Sequence, residues 1–124
     1  MGTYKGGSTR YRSISDNVAA LKTSYSYSNG YFGIKGQGGT HTRNITSSDP
    51  VKTAKSFYDT ASYGGIESHM KNGKGYTTNM ADGTVISYRK TSTSDGTSVV
   101  EINIRKSANT GELKYQKIHF VKED

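Results

Sequence analysis

An α+β fold, with N-terminal helices packed on a four- to five-stranded antiparallel sheet, is predicted by a change of hydrophobic period near residue 65. Before it, apolar residues recur at helical spacing. After it they alternate, and tight-turn pairs fall between the alternating runs. The chain of 124 residues is read as one domain, 1–124. It divides into a flexible lead-in over 1–12, a helical and loop part over 13–65, and the sheet over 66–121.

The lead-in carries Gly2, Gly6 and Gly7 with the basic Arg10 and Arg12. This glycine-rich opening after Met1 fits a domain cut from a longer chain. A short helix follows, capped by Ser15 or Asp16, with Val18 and Leu21 on one side. Residues 28–44 hold Asn29-Gly30 and Gly36-Gln37-Gly38-Gly39, and read as a long loop or an irregular hairpin. That run matches neither glycine-rich phosphate-binding pattern. Ser48 or Asp49 caps the second helix, and Pro50 suits its first turn, where no N–H is needed. Val51, Ala54, Phe57, Tyr58 and Ala61 line one face, and Gly64-Gly65 ends the helix.

The strands are expected at Ile66–Lys71, Gly75–Met80, Thr84–Lys90, Ser98–Arg105 and Leu113–Val121. Asn72-Gly73, Asp82-Gly83 and the loop containing Asp95-Gly96 separate the first four. Alternation assigns Ile66, Met70, Ile86, Tyr88, Val100, Ile102, Ile104, Ile118 and Phe120 to the apolar face. The other face then collects Glu67, His69, Lys71, Ser87, Arg89, Glu101, Asn103, Arg105, Tyr115, Lys117 and His119.

Lysine plus arginine is 17 and aspartate plus glutamate is 10, a net charge of +7. The isoelectric point of about 9.6 suits a binder of the phosphate backbone, or a charge that serves only solubility. Membrane-surface binding would want a basic amphipathic helix, and none is read here. No stretch has the length of a spanning helix, and the N-terminus has no apolar signal core. With no cysteine, disulfides, thiolate nucleophiles and cysteine zinc sites are excluded. His41, His69 and His119 lack chelating spacing, so neither metal nor cofactor is expected. The two Asp-Gly pairs are read as turns and not as calcium loops. Asn44-Ile45-Thr46 matches the glycosylation pattern, which matters only in a eukaryotic secretory setting.

His119, between Ile118 and Phe120, is either a structural histidine or a proton-transfer group. Lys117 on the same face, and Arg89 across it, would stabilise phosphorane charge in metal-free RNA cleavage. The same face could instead grip nucleic acid without cutting it. A DNase is disfavoured by the lack of a His/Asp/Glu metal cluster.

The run from Asn79 to Arg89 contains Ala81-Asp82-Gly83-Thr84 and Tyr88-Arg89. After it come Ser92-Thr93-Ser94-Asp95-Gly96, Val100-Glu101-Ile102-Asn103-Ile104 and Gln116-Lys117-Ile118-His119-Phe120. Over residues 43–121 this set resembles the C-terminal toxin modules of bacterial polymorphic toxins, including contact-dependent growth inhibition toxins. Those modules are similar to the barnase/EndoU/colicin/RelE-like ribonuclease group. The resemblance implies an endoribonuclease delivered from a producing cell that cuts RNA, above all tRNA, in a competitor's cytoplasm. It also implies a cognate acidic immunity protein and, for some contact-dependent relatives, elongation factor Tu as helper. The family's usual proline after the Ser-Asp-Gly segment is replaced by Thr97-Ser98. The candidate catalytic set is His119, Lys117, Arg89 and His69. The candidate RNA contacts are Lys71, Lys74, Ser92, Ser94, Asn103, Arg105 and Tyr115.

Overall fold

The structure is a computed structural model describing residues 3–4, 10–71, 73–92, 96–104 and 111–123. Its elements are β1 (Thr3–Tyr4), α1 (Ser15–Ser24), β2 (Tyr27–Ser28), β3 (Tyr31–Phe32), β4 (Ile34–Lys35), β5 (Thr42–Ser47) and α2 (Pro50–Ala61). Then follow β6 (Ile66–His69), β7 (Gly75–Asn79), β8 (Val85–Arg89), β9 (Ser98–Asn103) and β10 (Gln116–Lys122). The fold is α+β, and all five expected strands of the second half form. The sheet is larger than expected, with eight strands in the order β1-β6-β7-β8-β9-β10-β5-β4.

β10 is therefore interior. It pairs antiparallel with β9 and parallel with β5. Residues 42–47, expected in the loop part, supply that parallel strand. Their sequence, Thr-Arg-Asn-Ile-Thr-Ser, has one aliphatic side chain, too few to show strand alternation. Asn29 (φ 54) and Gly30 (φ 87) give the β2–β3 hairpin two left-handed central residues, as a type I′ turn requires.

Asp49 caps α2 by accepting from the Lys52 amide at 3.3 Å. At the other end the helix stops at Ala61, with Ser62 (φ -94) as C-cap, and Gly64 (φ 80), expected to stop the helix, turns the chain two residues later. For α1 the N-cap is Ile14, with no side-chain cap; Asp16 instead accepts from the Ser13 amide at 2.9 Å. Asn17 is buried and donates to the carbonyls of Ala61 and Tyr63, both at 2.9 Å. It thus joins α1 to the carbonyls left open at the end of α2.

Ala54, Phe57, Tyr58 and Ala61 of α2 are buried against the sheet, whose core side chains include Ile86, Tyr88, Val100, Ile102, Ile118 and Phe120. Phe57 is the hub, with ring centroids 5.0 Å from Tyr25, 5.4 Å from Phe32 and 5.7 Å from Phe120. Phe57→Ala is expected to cost about 3–5 kcal/mol in urea unfolding. A cost under about 1 kcal/mol would contradict this packing.

Gln116 is fully buried, and its Oε1 accepts from the Phe32 amide at 2.9 Å. Its Nε2 donates to Gly30 and Lys114 carbonyls. It fastens the β2–β3 hairpin to the start of β10. Burial pushes the Tyr58 hydroxyl far above the ordinary tyrosine value of 10.0. Its folded pKa is raised, so its contribution is full below the unfolded value and is lost as pH rises beyond it. Thermal melts across this point should show stability falling on the alkaline side.

Candidate active site

The face of the sheet turned away from α2 is built by three neighbouring strands. The register aligns Ser87, Glu101 and Lys117 in one row across β8, β9 and β10. It aligns Arg89, Val99 and His119 in the next. Directly opposed side chains on one face lie about 4.5–5.5 Å apart at Cβ. Successive same-face residues along a strand lie about 6.7 Å apart. Glu101 and Lys117 are therefore direct neighbours, and Arg89 and His119 stand at the two ends of the next row with Val99 between them, about 10 Å apart at the backbone.

Local turns hold these strands in place. Asp82 Oδ1 accepts from the Thr84 amide at 3.1 Å, and Gly83 (φ 94) completes the β7–β8 turn. At the far end of β8, the Ser92 amide donates to the Thr97 carbonyl at 2.6 Å. Ser98 Oγ donates to the Lys90 carbonyl. These bonds bring Thr97 over β10, where its Oγ1 lies 2.7 Å from His119 Nδ1.

A cavity of about 210 Å³ opens on this face, lined by Met70, Ser87, Arg89, Ser92, Val99, Glu101 and Lys117. Arg89 and Lys117 bring two cations and Glu101 one carboxylate. Tyr115 OH donates to Glu101 Oε2 at 2.5 Å, orienting the carboxylate. Tyr115 itself leans edge-on against His41, centroids 5.3 Å apart. His119 is 8% exposed and lies in the row beside the cavity, under the Thr97 contact, not in the cavity wall.

The structure thus brings Arg89, Lys117, His119, Ser92 and Tyr115 to one region. Asn103 shares the face, one position beyond Glu101 along β9. Lys71 is exposed on the β6–β7 turn. Ser94 and Arg105 lie outside the described residues.

The assignment of β6 to the two faces is corrected. Ile66 and Met70 were expected inward, and Glu67 and His69 outward beside Arg89 and Lys117. Instead Glu67 Oε2 accepts from Tyr58 OH at 2.8 Å, on the α2 side. The His69 ring lies 4.8 Å from the Tyr76 ring, also on that side. Met70 lines the outer cavity. The helix-side partners at this end of the sheet are tyrosines, which receive polar neighbours as readily as apolar ones. His69 and Lys74 line a different cavity and do not meet His119.

Glu101 was placed on this face by alternation but not among the catalytic candidates. Its neighbours are set by the register, which places it between Ser87 and Lys117 in one row. Among the described residues, no group of three His, Cys, Asp or Glu side chains is arranged to hold a metal ion. No helix among them is long and apolar enough to cross a membrane. No family model, curated protein or solved structure matches the chain.

Proposed function

We propose that the outer sheet face is the active face of an endoribonuclease toxin that cuts RNA, with tRNA the foremost candidate, in the cytosol of a competing bacterium. What carries this reading is the juxtaposition of one carboxylate, one imidazole, one ammonium and one guanidinium across three adjacent strands. These groups supply every proton transfer and charge that RNA transesterification needs, without a metal.

Glu101 takes the proton from a ribose 2′-OH. The 2′-oxygen attacks the adjacent phosphorus, and the bond from phosphorus to the 5′-oxygen breaks. The imidazolium of His119 gives its proton to that 5′-oxygen. The products are a 2′,3′-cyclic phosphate and a free 5′-OH. Lys117 and Arg89 neutralise the negative charge that builds on the phosphorane oxygens. Ser87 and Ser92, in the cavity wall, can hydrogen-bond the bound strand. DNA lacks the 2′-OH nucleophile, so it is not a substrate.

The second reading is a nucleic-acid-binding surface without cleavage. The burial of His119 and its bond to Thr97 favour it, because a purely structural histidine would show both. Purified protein incubated with RNA decides between the two. A new cyclic-phosphate end supports cleavage; intact RNA with a salt-sensitive mobility shift supports binding alone.

The partner reading follows from the same charges. An acidic immunity protein that covers Arg89 and Lys117 would block the cavity, and elongation factor Tu remains a candidate helper. Replacing both cations with alanine should slow association with the immunity protein about 10-fold or more at low salt, and the difference should shrink as salt rises. Stopped-flow measurement at two salt concentrations checks this. Equal association rates for both proteins would place the immunity contact elsewhere.

A further inference from the structure

On the α2 side of the sheet lies a second cavity, of about 490 Å³, distinct from the outer one. Two tyrosines line it, Tyr76 and Tyr88, their rings stacked across neighbouring strands with centroids 6.3 Å apart and planes 20° apart. The His69 ring stands beside Tyr76. Around these rings, Lys52 and Lys55 come from α2, Lys74 from the β6–β7 turn, and Lys90 from the end of β8. The lining holds one carboxylate, Asp59, which is paired with Lys55 at 3.0 Å. Four lysines and one carboxylate thus surround the aromatic rings of the cavity.

We propose that this cavity binds a nucleotide unit, with the base laid against the Tyr76 ring beside His69 and the phosphate held by Lys52, Lys74 and Lys90. An aromatic ring stacks any base, and lysines serve phosphate as point charges. An acidic peptide would use the cations but leave the aromatic rings unused. A purely apolar ligand would use the aromatic rings but leave the surrounding lysines without an anionic group to bind.

The position of the cavity suggests the source of the nucleotide. Consecutive residues divide between the two cavities: His69 lines this one and Met70 the outer one, and Lys90 lines this one and Arg89 the outer one. The two openings are thus on opposite faces of the same rim of β6 and β8. A strand cut at the outer face can round that rim and seat a neighbouring nucleotide here. This extension rests on the RNA-directed reading of the outer face; the chemistry of the cavity does not.

The test is a titration of the intact protein with a 2′-O-methylated single-stranded oligonucleotide, which cannot be cleaved, and separately with uridine monophosphate. The His69 and Tyr76 side-chain resonances are followed by NMR, and oligonucleotide affinity by fluorescence anisotropy. Both resonances should move. Movement with the mononucleotide identifies a site for free nucleotides; movement with the oligonucleotide alone identifies a subsite for a strand. The exposed pair Lys52→Glu and Lys90→Glu, checked for an unchanged circular dichroism spectrum, should weaken oligonucleotide binding about 10-fold or more. Removing two phosphate contacts should also lower the salt slope by about 1.4.

Unmoved His69 and Tyr76 resonances at saturation, or full affinity in the double variant, would overturn the proposal. If the resonances move but RNA is never cut, the ribonuclease reading fails and this site stands. If RNA is cut and the resonances do not move, only this site fails.

Discussion

Glu101→Gln is expected to lower RNA cleavage by about 10²–10⁴-fold, the usual range for loss of a general base. The substitution is nearly isosteric, and the amide oxygen can still accept the hydrogen bond from Tyr115 OH. The fold and the cationic rows around it should therefore persist. RNA affinity should stay equal or rise, because one negative charge leaves a surface that binds phosphate. Cleavage by this variant within about two-fold of the unaltered protein would remove Glu101 from the proton chemistry. Single-turnover cleavage, with affinity measured separately, separates the two effects.

His119→Ala should lower cleavage by a comparable factor, through loss of the proton that leaves with the 5′-oxygen. Alanine also removes a mostly buried ring and its bond to Thr97, so loss of activity alone could report a loosened loop. His119→Gln answers this. The glutamine amide can still hydrogen-bond the Thr97 hydroxyl but cannot cycle a proton near neutrality. If the ring acts only as a loop anchor, the glutamine variant keeps most of the activity. If it acts as the acid, both variants lose activity while both still bind RNA. The double variant with Glu101→Gln should not show the product of the two losses, because acid and base act in one step.

Much of this arrangement was legible in the sequence because the strands that carry it obey simple alternation. In β8, β9 and β10, Ile86, Tyr88, Val100, Ile102, Ile118 and Phe120 fall at alternate positions and are buried in the core. That pattern correctly opposes Arg89, Glu101, Lys117 and His119 to Ile86, Ile102, Ile118 and Phe120. The capped start of α2 at Asp49-Pro50 was equally plain, since it is fixed by local backbone chemistry.

β6 was not legible, because alternation reads polarity and the neighbours of β6 do not separate by polarity. Tyr58 and Tyr76 present hydroxyls and ring edges to Glu67 and His69 on the helix side. The pattern of β6 thus inverts although its period is intact. β5 escaped for another reason. Its partner β10 lies 75 residues further along the chain (Thr42 pairs with Lys117), and a parallel pairing has no turn signal between its strands. Glu101 escaped because its meaning depends on register. Only the alignment of β9 between β8 and β10 sets it among Ser87, Lys117 and Arg89.

The central claim is that this outer face cuts RNA with its own side chains. The most direct measurement is incubation of the purified protein with total bacterial RNA in EDTA, followed by mapping of the new ends. The expected result is a discrete fragment, foremost from tRNA, that ends in a 2′,3′-cyclic phosphate and is absent with Glu101→Gln. RNA left intact under conditions where the protein still binds it would show that this face binds without cutting.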